Sequence, residues 1–244
     1  FALGVDSVGG AFETAGRQKI TPPDPEVPQD TEAAAFFDVD NTLIQGSSLI
    51  LLAQGLFKKR FITLSELAPA LRKQIRYRIS GSENADDIAE GREQALAIVK
   101  GKSVEELKQA CREIVDNRML QKSYADTIEL ASMHLAAGQQ VWLVSATPVQ
   151  IGQALAETLG FTGALGTVAE EEDGKFTGRL VGDILHGPGK KHAVAALAAL
   201  QQLDLSKCTA YSDSVNDLPM LNMVGSPVAV NPDRALRKHA KAQG

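Results

Sequence analysis

A short apolar run that ends at two carboxylates constrains the fold of this chain most strongly. Residues 33–37 read Ala-Ala-Ala-Phe-Phe, and Asp38 and Asp40 follow with one residue between them. Such a run is typical of a strand that is buried on both faces in the parallel sheet of an α/β protein. These sheets bind ligands at the carboxyl ends of their strands, where the two aspartates would lie. Because adjacent carboxylates repel each other and resist burial, we expect a hard metal ion to hold them there.

Two later segments repeat this pattern of an apolar strand with a polar end. Residues 140–144 run into Ser145, and residues 209–212 run into a segment that begins with Asp213. Between them, a Gly-Pro-Gly-Lys-Lys sequence at 187–191 opens an alanine-rich stretch that we expect to be helical. The chain therefore carries, in this order, Asp-x-Asp-x-Thr, a strand-terminal serine, a lysine and Asp-x-x-x-Asp.

This order of motifs resembles the haloacid dehalogenase superfamily of phosphohydrolases. Within the superfamily it is similar to subfamily IB, the phosphoserine-phosphatase-like branch, and the resemblance extends over residues 33–231. It implies an α/β fold with a doubly wound parallel sheet, the Rossmann-like core of the family, and an all-helical cap inserted just after the first motif. The alternation of strand-like and helical segments independently favours a doubly wound sheet.

We predict an N-terminal arm, a helical cap and a core in two pieces. Their ranges are 1–30 for the flexible arm, 47–124 for the cap, and 31–46 with 125–244 for the core. The arm is rich in Gly, Pro and acidic residues. In the cap, apolar residues recur every three or four positions over 57–79, and Ser103 with Glu106 forms a capping-box pattern. Such a cap can exclude water and select the substrate.

Composition limits the class of protein and its location. The chain has 244 residues, of which 44% are hydrophobic, and a net charge of −5, which argues against nucleic-acid binding. Cys111 and Cys208 lie far apart, so we expect no disulfide and predict a cytoplasmic protein. No apolar run reaches the ~18 to 20 residues of a membrane span, and residues 1–30 lack a signal-peptide pattern. Association with a membrane through segments outside this chain is an alternative.

The resemblance implies a role for each acidic motif residue. Asp38 would attack phosphorus and become an aspartyl phosphate. Asp40 would protonate the leaving oxygen and later take a proton from the attacking water. Mg²⁺ is the implied cofactor, bound by the Asp38 carboxylate, the main-chain carbonyl of Asp40 and Asp213. Asp217 would orient a metal-bound water.

The remaining motif residues are expected to bind the phosphoryl group. Ser145 and the amide of Ala146 would hold phosphoryl oxygens at a helix start. Thr42 would contact phosphate through its backbone or hydroxyl, and Asn216 would bond either the phosphoryl group or the second aspartate of its motif.

A lysine must also place a positive charge beside Asp38. Lys190 and Lys191 are both candidates. Family helices usually carry an apolar residue four positions after the lysine, and the pair Lys190 and Val194 fits that pattern better.

The expected substrate is a small-molecule phosphomonoester. Phosphoserine phosphatases of this branch carry a glutamate nine residues after the nucleophile, where this chain has Ser47, and their cap arginine has no nearer counterpart than Arg92. Phosphoserine therefore stays an alternative. A lipid-type phosphate such as lysophosphatidate is another, because basic residues that suit a membrane surface accompany the apolar stripe of the cap. These are Lys58, Lys59, Arg60, Arg72, Lys73, Arg76 and Arg78.

Two other classes of function are less favoured. A phosphomutase would share Asp38 and Asp40 but return the phosphoryl group to its substrate. A non-catalytic binding protein would usually have lost Asp38, Asp40 or Lys190, and this chain retains all three.

Overall fold

The computed structural model describes residues 21–63 and 95–243, together with Val8, Glu66 and Glu93. A central sheet is formed by β1 (Ala34–Phe37), β2 (Gln140–Pro148), β3 (Gly163–Thr167), β6 (Thr209–Ser212) and β7 (Ser226–Ala229). The five strands are parallel and lie in the order β3-β2-β1-β6-β7. A separate antiparallel hairpin consists of β4 (Ala169–Glu172) and β5 (Lys175–Leu180). The predicted α/β class with a parallel sheet is confirmed.

Helices lie on both sides of this sheet. In chain order they are α1 (Ser48–Lys58), α2 (Val104–Ile114), α3 (Ala125–Ala136), α4 (Val149–Leu159), α5 (Pro188–Gln201), α6 (Leu218–Leu221) and α7 (Arg234–Gln243). A π-helical turn (Val115–Met119) and a 3₁₀ turn (Leu120–Lys122) follow α2, and another 3₁₀ turn (Val215–Asp217) precedes α6.

Alternate residues of β1 enter two different hydrophobic clusters. Ala35 and Phe37 belong to a cluster with α1, α2 and α4, whereas Ala34 and Phe36 belong to one with α5 on the other face. All four are fully buried. This two-sided burial is the physical reason for the continuous apolar run, and it places Asp38 and Asp40 just beyond the carboxyl end of a central strand.

Local sequence signals set several boundaries as predicted. The Ser103 hydroxyl accepts a hydrogen bond from the Glu106 amide and caps α2. Asp173 and Gly174, both with positive φ, form the turn between β4 and β5, as expected for a two-residue hairpin loop.

One predicted boundary is wrong. Ser145 was expected to end its strand, but β2 continues to Pro148. Its pairing with β3 shifts register between Val144 and Pro148. This irregularity lets the chain stay extended past Ser145, and the Thr167 hydroxyl bonds the carbonyl of Ala146 there at 2.7 Å. Ser145 therefore lies inside the strand, at the shift in register.

The described part of the predicted arm, residues 21–30, lies against the core. The amides of Asp24 and Asp30 donate to the carbonyls of Ala136 and Ala137 at the end of α3, each at 2.9 Å. These bonds satisfy carbonyl groups that a helix end leaves unpaired. Val8 is also buried, in the cluster with α5. Residues 21–30 are therefore attached to the core by hydrogen bonds, and the arm as a whole stays a prediction.

The division into core and cap stays a prediction. Much of the predicted apolar stripe, Arg92 and the basic residues from Arg72 to Arg78 lie outside the described residues. The described ends of the segment, α1 and α2, share one hydrophobic cluster with β1 and α4. None of the helices in the described parts of the chain is long and apolar enough to cross a lipid bilayer.

Candidate active site

A buried lysine lies between two buried carboxylates at the carboxyl edge of the sheet. Lys190, in the first turn of α5, is 4% exposed, and its Nζ lies 2.5 Å from Oδ1 of Asp38 and 2.7 Å from Oδ2 of Asp217. Thr42 donates to the other Asp38 oxygen at 3.2 Å, and Ser212 donates to Asp217 at 2.7 Å. Lys190 therefore joins its own helix to the segments that carry Asp38 and Asp217.

Burial sets the electrostatics of this group. It raises the pKa of Asp38 to about 7, and the neighbouring Asp217 adds to the effect against the opposing charge of Lys190. Burial alone would lower the pKa of Lys190, but the two carboxylates outweigh it and raise that pKa above its usual value. The lysine therefore stays charged, whereas burial favours the protonated form of Asp38.

The second aspartate of the first motif is held by the start of α1. The amide of Ser48 donates to Oδ1 of Asp40 at 2.9 Å, and the Ser48 hydroxyl donates to the same oxygen. Ser48 is fully buried, whereas Asp40 is partly exposed. The start of α1 therefore holds one oxygen of Asp40, while part of the residue stays accessible to solvent.

Asp213 begins the loop after β6, and residues near the C-terminus hold this loop. The carbonyl of Asp213 accepts a hydrogen bond from the amide of Asp233 at 2.7 Å, and the Asp233 carboxylate accepts one from the amide of Val215 at 2.9 Å. Burial raises the pKa of Asp213, although a hydrogen bond from the Asn41 side chain opposes the shift. This part of the site thus also disfavours an uncompensated negative charge.

The predicted phosphate-binding serine is buried at the irregularity in β2. Its hydroxyl lies 2.9 Å from that of Thr147 and accepts the Thr147 amide at 3.2 Å. Helix α4 begins directly after this segment and has no acidic residue in its first turn. The positive end of its dipole thus faces the carboxyl edge without a side-chain anion.

The structure separates the two candidate lysines. Lys190 enters the buried group, whereas Lys191 is exposed on the surface of α5. Asn216 is exposed, and its main-chain amide donates to the Ser214 hydroxyl at 3.2 Å. The predicted residues of the first and last motifs follow the carboxyl ends of β1 and β6, whereas Ser145 and Ala146 lie within β2.

Sequence reasoning missed three residues that hold the site, namely Ser48, Ser212 and Asp233. Ser212 is the last residue of β6, so its position before Asp213 was the available signal. Ser48 bonds the carboxylate of Asp40, and Asp233 bonds main-chain groups of the loop after β6. Neither residue belongs to one of the motifs, so no sequence pattern marked them.

The donor set fits a hard divalent cation. Burial raises the pKa of both Asp38 and Asp213, so a cation would relieve the cost of their negative charge. Within residues 21–63 and 95–243, no three His, Cys, Asp or Glu side chains form a metal-binding group. A metal ion here would therefore also need main-chain or substrate oxygens, which the predicted set with the Asp40 carbonyl includes and Mg²⁺ accepts.

Comparison with known proteins assigns this chain to a family. A model of haloacid dehalogenase-like hydrolases matches residues 35–222. A Mycobacterium tuberculosis H37Rv protein named phosphoserine phosphatase SerB1 is 52% identical over 221 residues, which are 91% of this chain and 72% of that protein. A Neisseria meningitidis serogroup C protein named histidinol-phosphatase is 33% identical over 86% of this chain and 95% of its own length.

A solved structure supports the same assignment at the level of the fold. The crystal structure of a protein of unknown function from Bordetella pertussis Tohama I has a TM-score of 0.76 and 29% identity, and covers 88% of this chain and 97% of its own. Together with the family model and the M. tuberculosis relative, it confirms the predicted fold class and the phosphatase type of enzyme, and the chain belongs to the haloacid dehalogenase-like hydrolase family.

Proposed function

We propose that this protein is a Mg²⁺-dependent phosphomonoester hydrolase that works through an aspartyl phosphate on Asp38. The observation that carries the proposal is the placement of Asp38 at the carboxyl edge of the sheet, bonded to a buried Lys190. A carboxylate attacks a phosphoryl group only where negative charge is offset, and Lys190 provides a fixed positive charge beside it.

In the first step, an Asp38 carboxylate oxygen forms a bond to phosphorus while the bond from phosphorus to the ester oxygen breaks. Asp40 donates its proton to the departing oxygen, so an alcohol leaves. In the second step, Asp40 takes a proton from water as that water attacks phosphorus, and the acyl phosphate bond breaks to release inorganic phosphate and restore Asp38. Two displacements replace one difficult hydrolysis.

Several other residues bind and orient the phosphoryl group in this proposal. Lys190 and the Ser145 hydroxyl bind its oxygens, together with the amide of Ala146 and with Thr42. Asp38, the carbonyl of Asp40 and Asp213 would hold Mg²⁺, and Asp217 would orient a metal-bound water while it keeps Lys190 in place. When bound, Mg²⁺ supplies positive charge that brings the anionic phosphoryl group and the carboxylate together.

Phosphoserine is the first substrate to test, because the M. tuberculosis relative named a phosphoserine phosphatase is 52% identical. Ser47 in place of the expected glutamate leaves the substrate amine without its usual partner. Histidinol phosphate follows from the name of the N. meningitidis relative. Lysophosphatidate tests the lipid-type alternative, for which the described part of α1 offers Leu49, Ile50 and Phe57 as exposed apolar residues.

A panel of these three esters and p-nitrophenyl phosphate, with Mg²⁺ or with chelator, tests the proposal. We expect phosphate release only with Mg²⁺, and a fall of at least ~10³-fold in Asp38→Asn. Asp126→Asn, at an exposed position on α3, is the matched control and should keep its turnover. Fluorine NMR should show beryllofluoride bound to the wild-type protein and none bound to Asp38→Asn. Turnover that survives Asp38→Asn would refute the nucleophile.

Product analysis separates hydrolysis from phosphoryl return. With a sugar phosphate, a hydrolase releases inorganic phosphate, whereas a phosphomutase yields an isomeric sugar phosphate. Isomer formation without free phosphate would replace the hydrolase proposal with the mutase alternative.

A further inference from the structure

Two donors from one residue converge on a single oxygen of Asp40. Ser48 is the first residue of α1, and both its amide and its hydroxyl donate to Oδ1 of Asp40. The amide is one of those that a helix leaves unpaired at its start, and a carboxylate there is also favoured by the helix dipole. Asp40 therefore takes the part of a capping side chain for α1, although it precedes Ser48 by eight positions.

The donor that makes these bonds is itself firmly placed. Ser48 is fully buried, and Leu51, Leu52 and Leu56 on the same helix pack into the cluster that contains β1. Gly55 of α1 lies so close to Ile114 of α2 that a Cβ there would come within 2.4 Å of its side chain. The helix that carries Ser48 is thus held in place by core packing.

From this geometry we propose that Ser48 is a positioning residue for Asp40 in the proposed hydrolysis. Two donors on Oδ1 restrict rotation of the carboxyl group, so Oδ2 is the oxygen that exchanges the proton with the leaving group and with water. The proposal rests on the hydrolase function above and adds to it a link between proton transfer and α1. Misplacement of a reacting group by a small distance costs much of its contribution.

Leaving groups of different acidity test this role. An alkyl oxygen such as that of phosphoserine needs a proton to depart, whereas p-nitrophenolate departs without one. Since kcat/KM reports the steps up to formation of the phosphoenzyme, Ser48→Ala should lower it by ~10-fold for phosphoserine, or for the alkyl ester that wild type turns over best, and by less than ~3-fold for p-nitrophenyl phosphate. Ser48→Thr, which keeps the hydroxyl, should recover most of the kcat/KM that Ser48→Ala loses with the alkyl ester.

Ser103→Ala is the matched control. The Ser103 hydroxyl bonds the start of α2 rather than a carboxylate, so this substitution removes a serine from a helix start and should leave the ratio between the two substrates unchanged. In an Asp40→Asn background, Ser48→Ala should cause no further loss with the alkyl ester.

The outcomes distinguish the two proposals. An equal fall with both substrates, no fall with either, or an additional loss in the Asp40→Asn background would reject the role of Ser48 while the hydrolase stands. Wild-type protein that releases phosphate from neither ester would reject the hydrolase, and the role of Ser48 with it.

Discussion

At the carboxyl edge of the sheet a buried lysine lies between two carboxylates, whereas residues 21–30 cover the amino edge through neutral hydrogen bonds. Lys190 bonds Asp38 and Asp217 in a group with almost no exposure. At the opposite edge, Nε2 of Gln29 lies 3.1 Å from the carbonyl of Ala136, and a nearby cavity of about 340 Å³ is lined only by uncharged residues, Trp142 among them.

The two edges differ in how strongly the interactions within each of them depend on one another. Buried charges stay favourable only while each has its partner, so removal of one member affects the others strongly. Neutral hydrogen bonds at an exposed edge contribute about 1 kcal/mol each and act almost independently. We therefore expect substitutions at the carboxyl edge to change both activity and stability, and those at the amino edge to change stability alone.

Of the substitutions at the two edges, Lys190→Met should have the largest effect on stability and turnover. It leaves two buried carboxylates without their cation, so we expect the free energy of unfolding to fall by about 3–5 kcal/mol and turnover to fall by ~10³-fold. Urea denaturation and phosphate release measure the two effects. Lys191→Met is the control, and this exposed neighbour should stay within about 0.5 kcal/mol of wild type. Similar effects of the two substitutions would contradict the assignment of Lys190.

Asp38→Asn should separate stability from activity at the same edge. Because burial raises the folded-state pKa from 3.8 to about 7, the folded protein binds an extra proton between these values, and the stability of the metal-free protein falls as pH rises through them. Asparagine carries no charge, so the variant should avoid this loss and exceed wild type by about 2–4 kcal/mol above pH 7. Its turnover should be abolished.

Urea denaturation in chelator across this pH range measures the stability difference. We expect the stability difference to vanish below pH 3.8, where wild-type Asp38 is protonated in both the folded and the unfolded state. A variant less stable than wild type at every pH would show that Asp38 remains charged and well compensated without metal.

Gln29→Ala, at the amino edge, should have the smallest effect on stability and turnover. Its Nε2 lies 2.7 Å from the carbonyl of Val27 and 2.8 Å from that of Asp24, so its removal should cost about 1 kcal/mol and leave kcat/KM within ~2-fold of wild type. Gln121→Ala, at an exposed position, is the control. A large loss of turnover in Gln29→Ala would show that the two edges are coupled.

The sequence predicted the elements whose signals are local. The apolar run before Asp38 predicted a doubly buried strand, and the capping-box pattern of Ser103 and Glu106 predicted the start of a helix, which the structure has at α2. The continuation of β2 past Ser145 escaped prediction because it depends on pairing with β3. The attachment of residues 21–30 escaped because linker-like composition says nothing about unpaired carbonyls at the end of α3.

The amino-acid sequence by itself determined that carboxylates follow a buried strand and that the motifs occur in the family order, since hydrophobic periodicity and residue chemistry act over short stretches. The tertiary structure decided which lysine meets Asp38 and which serine holds Asp40. Asp38 and Lys190 are 152 positions apart, and a shift of one residue along α5 separates a buried ammonium from an exposed one. Partner choice over such separations depends on packing, which no local pattern contains.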